Sequence, residues 1–407
     1  MKKNKINLEF RDNIQKSHIN YSIYIKNKKR TELALSSISK NLDNQRNVFY
    51  SLSKKFKFNF NKSDLDKFKK YKTVVIIGMG GSILGSEAIY NFLKHKIKKT
   101  FLFVDNLDQR KIENINKSIN FNTSLFIVVS KSGNTTETLT NLSLLRKNKK
   151  SNKNFIIITE NKNNALSIFA KKFGILKIHH KNYIGGRYSV LSEVGMLPAK
   201  LMGLNINKFR KNLTKNIRSN KKNILLQNVA KISQIYSKKS FSSIVLLNYC
   251  PELNEFLFWY QQLISESLGK KQKGLIPIVS LAPKDNHSLL QLYLDGPKDK
   301  IFYIFSGNSN SKMKIKKNYF GNFFNSFKNK EVRTILNAQK RAFIKILNDK
   351  NIPFREFNFN RSNEETIGEL FSYFIIETVL IGKLIGVDPY TQPAVEQLKI
   401  LTKKYLS

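Results

Sequence analysis

Val74–Leu93 reads VVIIGMGGSILGSEAIYNFL: an apolar run, a turn with Gly78, Gly80 and Gly81, then Ser82 and an amphipathic pattern. That is a β-strand, a tight turn and the start of a helix. Glycines let other backbone approach closely, and the free amides of a first helical turn favour an anion. The turn misses the G-x-G-x-x-G dinucleotide spacing, because Ile83 stands where the third glycine belongs. Alone, it reads more readily as α/β punctuation than as a site.

The same rhythm recurs on both sides. FLFV from Phe101, LFIVVS from Leu125, NFIIIT from Asn154 and ILKIHH from Ile175 follow at helix-separated intervals. Such alternation predicts a parallel sheet with helices on both faces. One junction carries more than punctuation. In LFIVVSKSGNTTETLTNL, strand meets helix through Ser130, Lys131, Ser132, Gly133, Asn134, Thr135 and Thr138. Hydroxyls, amides and one ammonium converge there, and a phosphate needs donors of this kind without acceptors. Asn134 and Glu137 are spaced as an N-cap and its N3 partner. Capping explains one or two of these residues, so the stretch predicts a phosphate pocket.

NYIGGRYS follows, with Arg187 at a Gly-Gly bend, either on the surface or aimed into a cleft. A Lys/Asn-rich helical stretch to about Lys239 then separates a second α/β unit. SSIVLLN from Ser242, KIFYIF from Lys300 and PFREFNF from Pro353 read as its strands, and TIGELFSYFIIETVLIGKLIG from Thr366 as a long buried helix. Within it, WYQQLISESLGKKQKGLI places Gln262 and Glu266 one helical turn apart among Trp259, Leu263 and Ile264. A partly desolvated carboxylate can serve as a base; the bland reading is an ordinary solvated helix end, closed by Gly269 at C′. His287 lies at a helix start, where the dipole favours neutral imidazole, or it is a surface residue in a capping turn. The tail PYTQPAVEQLKILTKKYL is an amphipathic helix bearing Gln392 and Lys399, which read locally as solvated polar residues. Residues 1–70 carry helical patterning without strand runs.

At 407 residues and 41% hydrophobic content, the chain suffices for roughly two or three domains. Its single cysteine, Cys250, excludes a disulfide framework. The first residues lack the apolar core of a signal peptide, and no apolar run approaches a membrane span, so the reading is cytoplasmic without a membrane partner. The excess of 72 Lys plus Arg over 28 Asp plus Glu, +44, could draw nucleic acid. The lysines are instead dispersed among Asn and Ile, and Lys94–Lys99 and Lys147–Lys153 read as solvated helix ends and loops, so compositional bias is the better account and no nucleic-acid partner is expected.

Taken together and in order, GMGGSILGSE, SKSGNTTET, GGRYS, QQLISESLGK, KDNHSLLQ and QPAVEQLK resemble the glucose-6-phosphate isomerase (phosphoglucose isomerase) family from about residue 74 onward. The resemblance implies two sugar isomerase (SIS) domains, each a flavodoxin-like parallel sheet sandwiched by helices, at 71–205 and 206–390. An N-terminal helical layer (1–70) and a C-terminal helical arm (391–407) complete the expected chain. It implies a homodimer interconverting glucose 6-phosphate and fructose 6-phosphate through an enediolate, without metal or cofactor. Residue by residue it implies Ser130, Lys131, Ser132, Thr135 and Thr138 at the phosphate, and Gly81, Ser82, Gln262 and Gln392 at the sugar. Glu266 resembles the base, Arg187 the residue stabilising the intermediate, and His287 and Lys399 the pair linked to ring opening, with His287 reaching across from the partner subunit. Gly133 and Asn134 stand where many relatives carry Phe and Thr, which leans toward isomerases that also accept mannose 6-phosphate; QLK replaces the usual LGK at Lys399. A non-catalytic sugar-phosphate sensor would need the phosphate loop but not Glu266, His287 and Lys399 together.

Overall fold

The computed structural model describes residues 8–145, 152–219, 221–307 and 313–406; 147–151 of the lysine run Lys147–Lys153 lie outside the described residues. Among the described residues ten strands form two sheets. They are β1 (Leu8–Asp12), β2 (Thr73–Gly78), β3 (Thr100–Val104), β4 (Ser124–Val129), β5 (Phe155–Thr159), β6 (Leu176–His179), β7 (Ser243–Asn248), β8 (Ile276–Leu281), β9 (Lys300–Gly307) and β10 (Phe354–Phe359). The first sheet runs β3-β2-β4-β5-β6, all parallel. The second runs β8-β7-β9-β10 in parallel, closed by an antiparallel β1. In each sheet the first strand of the unit lies between the second and the third. This is the flavodoxin-like order, which leaves a crevice at the carboxyl ends where the direction of winding reverses.

The β2 and β4 strands are buried on both faces, so they read as unbroken apolar runs rather than as alternating ones. Val74, Ile76, Leu125 and Ile127 join Ile244, Leu246, Ile301 and Tyr303 in one core between the sheets. Val75, Ile77 and Val128 face a separate outer cluster on one side, and Val245, Leu247 and Phe302 another on the far side. The layer between the sheets contains α1 (Tyr21–Lys40), α2 (Leu84–Leu93), α3 (Lys222–Ser237), α4 (Asn254–Leu268) and α5 (Glu364–Ile385). Asn363 caps α5 by accepting from the Thr366 amide, and Gly386 ends it at φ 74, a left-handed conformation suited to glycine. Among the described residues no helix is long and apolar enough to cross a membrane.

At the N-terminus the expectation fails. Residues 1–70 are not wholly helical: Leu8–Asp12 is the edge strand of the second sheet, with Leu8 opposite Phe359 and Asp12 opposite Arg355. The peptide groups of this short charged segment close the open edge of β10, and Phe10 packs against Phe357 and Tyr373. Its pairing partner lies more than 340 residues away, so nothing local announces it.

Candidate functional site

The first crevice is built by the two turns that follow β2 and β4. After β2 the chain turns at Gly80, φ +52. A Cβ there would meet the Gln262 amide nitrogen at 2.6 Å, and one on Gly81 would meet the Gly186 carbonyl carbon at 2.3 Å. The glycines therefore let this turn press against two other walls of the site. After β4, the Ser130 and Thr135 hydroxyls lie 2.8 Å apart and the Gly133 amide donates to Ser130 Oγ, which coils the loop into a cradle. The helix Thr136–Leu145 starts from the Thr135 carbonyl, which accepts from the Leu139 amide. Asn134 does not cap it, as its spacing had suggested. Its side-chain oxygen accepts from the Ala165 amide, because the loop packs against the next helix start.

Arg187 is aimed inward. It is 3% exposed, and all five guanidinium donors are used. Nε donates to Ser267 Oγ (2.9 Å), one terminal nitrogen to Glu266 Oε2 (3.0 Å) and Gln392 Oε1, and the other to the Pro389 and Thr391 carbonyls. It thus ties the bend after β6, the end of α4 and the C-terminal segment into one wall. Glu266 accepts from Gln262 Nε2 at 2.8 Å through its other oxygen, as the i, i+4 spacing anticipated. Its side chain remains 26% exposed. Gly269 follows α4 at φ −75, so it is not a left-handed C′ residue; a Cβ there would lie 2.7 Å from the Ser265 carbonyl, and that contact demands glycine.

These walls enclose a cavity of about 300 Å³. Gly81, Ser82, Lys131, Ser132, Thr135, Arg187, Gln262, Glu266, Gln392 and Lys399 all line it. Residues scattered over more than 300 positions are brought together. Ser130 lies just beneath, holding the loop. Thr138 is fully buried, does not line the cavity, and has no hydrogen-bond partner on its hydroxyl. His287 is exposed on the turn after β8 and does not line the cavity either. Lys399 sits on the exposed C-terminal helix Val395–Leu406, paired with Glu396 at 2.7 Å. Among the described residues no cluster of three or more His, Cys, Asp and Glu is gathered as a metal site.

Sequence reading missed one liner of consequence, Glu160, at the end of β5 beside the Lys131 loop. Its carboxylate lies 2.8 Å from Lys162 and 3.6 Å from Lys131. Burial raises its pKa, but the bond from Lys162 and the charge of Lys131 outweigh this and hold it below the usual carboxylate value. Burial pushes the Lys131 ammonium down, against the opposing pull of Glu160. The signal available was position alone: a polar residue at the carboxyl end of the strand beside β4 faces the same crevice.

The family model of phosphoglucose isomerase matches residues 51–407. Glucose-6-phosphate isomerase of Methanocaldococcus jannaschii is 32% identical over 348 residues, 83% of this chain and 85% of that one. Glucose-6-phosphate isomerase of Campylobacter jejuni is 32% identical over 355 residues, 83% and 86% of the two chains. Among solved structures, a glucose-6-phosphate isomerase from Chlamydia trachomatis superposes with a TM-score of 0.70 at 18% identity, covering 96% of this chain and 75% of that one, which speaks for the fold.

Proposed function

The chain belongs to the phosphoglucose isomerase family, and we propose that it interconverts glucose 6-phosphate and fructose 6-phosphate with Glu266 as its base. The carrying observation is that Gln262 and Arg187 each grip one oxygen of Glu266, 2.8 and 3.0 Å away, at a cavity that Lys131, Ser132 and Thr135 of the cradle also line. A carboxylate offers about four lone-pair directions. Two are taken, so the group is oriented yet keeps capacity for a proton. The isomerisation moves one proton between neighbouring carbons, which a single base can do from one face of an enediolate.

In this reading the phosphate docks on Lys131, Ser132 and Thr135, and that binding holds the sugar carbons over Glu266. Arg187, held by five protein acceptors, offers the field of a fixed positive charge to the enediolate oxygens rather than a free donor. Lys399 lies at the rim to assist ring opening. His287, exposed and away from this cavity, acts in the cavity of a second copy, so the working unit is a homodimer. The exposed Leu398, Ile400 and Tyr405 of the C-terminal helix supply apolar surface for such an assembly. A cytoplasmic location accords with that activity. The sensor, nucleic-acid and dual glucose/mannose readings are not favoured.

Subunit mixing tests the assignment. E266Q and H287A are each expected to be weak alone, while re-associated heterodimers regain up to one working site, built from the intact Glu266 of one chain and the intact His287 of the other. No recovery after verified exchange would put both residues in one chain's site.

A further inference from the structure

A phosphate cradle should offer donors and no carboxylates, yet beside Lys131 the cavity is lined by Glu160, at 6% exposure. Its place is not an accident of loop drift. The Glu160 amide donates to the Lys131 carbonyl, and its own carbonyl accepts from the Asn164 and Ser167 side chains. The backbone is therefore pinned against the cradle, and the carboxylate is held between two cations. Lys162 lies at 2.8 Å and is largely solvent-exposed; Lys131 lies at 3.6 Å and faces the cavity. His180, buried next to them, has its pKa pushed by burial to about 4 and adds no charge at neutral pH. The Lys131 ammonium also donates to the Asn182 carbonyl at 2.7 Å.

We propose that Glu160 is an internal counter-anion that competes with the substrate's phosphate for Lys131, and so limits how tightly the site holds phosphorylated sugars. The idea rests on the reading of Lys131 as the phosphate cation. A phosphate entering the cradle draws the ammonium from Glu160, and Lys162 neutralises the carboxylate that is left. On release, Glu160 reclaims Lys131. Opposition of this sort weakens substrate and product alike, which keeps a two-way isomerase from being held by either partner. A merely structural residue behaves in the opposite way, because loosening the cradle weakens phosphate binding.

That difference in sign is the test. Inhibition by inorganic phosphate and the KM for glucose 6-phosphate are measured for wild type, E160Q, E160D and K131M, with folding checked by circular dichroism. E160Q is expected to bind inorganic phosphate roughly three- to tenfold more tightly, the scale of one partly screened charge contact. KM should fall in step while kcat does not rise, and E160D, which keeps the charge, should return both values toward wild type. E160A replaces E160Q should the latter fold poorly. An inhibition constant that stays level or rises in the charge-removing variant overturns the proposal. If K131M leaves phosphate inhibition unchanged, the phosphate reading falls and this proposal with it. If K131M weakens inhibition but E160Q does not strengthen it, only the role of Glu160 is lost.

Discussion

Two buried arginines of this molecule each meet a glutamate, one pair spanning the two units and the other lying inside the second, and the two pairs are built differently. Arg355 of β10 is 2% exposed and donates to both oxygens of Glu377 on α5 and to the hydroxyls of Tyr303 and Tyr373. Glu377 is wholly enclosed. Arg187 is as deeply buried, but Glu266 opens to the cavity. The two crevices differ in the same way. Gly81 and Gly80 leave room for the Gly186 bend and Gln262, both part of the site, whereas Gly307 at the end of β9 leaves room for the ring of Phe359. The second crevice, between β7 and β9, holds a cavity of about 220 Å³ lined by Tyr249, Cys250, Val332 and Leu336 instead of a cradle of hydroxyls. One topology places both hollows, and the side chains at the strand ends give the two of them different linings.

Opening the contrast with point changes should produce effects of distinct kinds. E266Q, which keeps shape and hydrogen bonding but removes basicity, should lower kcat at least roughly 10³-fold, about 4 kcal/mol, with little change in thermal stability. Turnover near wild type would remove Glu266 from the reaction. E377Q should do the reverse, leaving Arg355 buried without its counter-charge and lowering unfolding free energy by about 3 kcal/mol in denaturant titration. K131M should raise the KM for glucose 6-phosphate about tenfold or more, near 1.4 kcal/mol, with phosphate inhibition weakened alongside it.

A fourth outcome joins the regions. Burial, then the neighbouring Glu255 and Asp105, push the Glu87 carboxyl on α2 up to about 7 from 4.5. The folded chain thus keeps a proton that the unfolded chain releases. The stability it contributes is full below pH 4.5 and is lost as pH rises through 7. E87Q should flatten that decline by about 1–2 kcal/mol, read as melting temperature between pH 4.5 and 8. Least affected should be C250A in the second crevice. The thiol donates only to Glu252, so kcat/KM should stay within about twofold and stability should drop by about 1 kcal/mol or less. A large loss of activity would give the second crevice a part in catalysis.

Much of this was legible in the chain. The strand-turn-helix units and the Ser130–Thr135 cradle depend on contacts within ten or twenty residues, and apolar runs, glycines and hydroxyls report such contacts directly. The i, i+4 partnership of Gln262 and Glu266 follows from helix geometry alone. The direction of Arg187 did not follow. A Gly-Gly bend permits either orientation, and the choice is made by five acceptors 79 to 205 positions away. Glu160 was passed over because its importance comes from a neighbouring strand, and LEFRD because its partner stands at the other end of the chain. By itself the sequence determined two parallel α/β units, their order and the hydroxyl-rich turn after β4, since these are set by local propensity and periodicity. Only the tertiary structure decided which charges meet, because a carboxylate or guanidinium carries no local mark of the partner that will satisfy it once water is excluded.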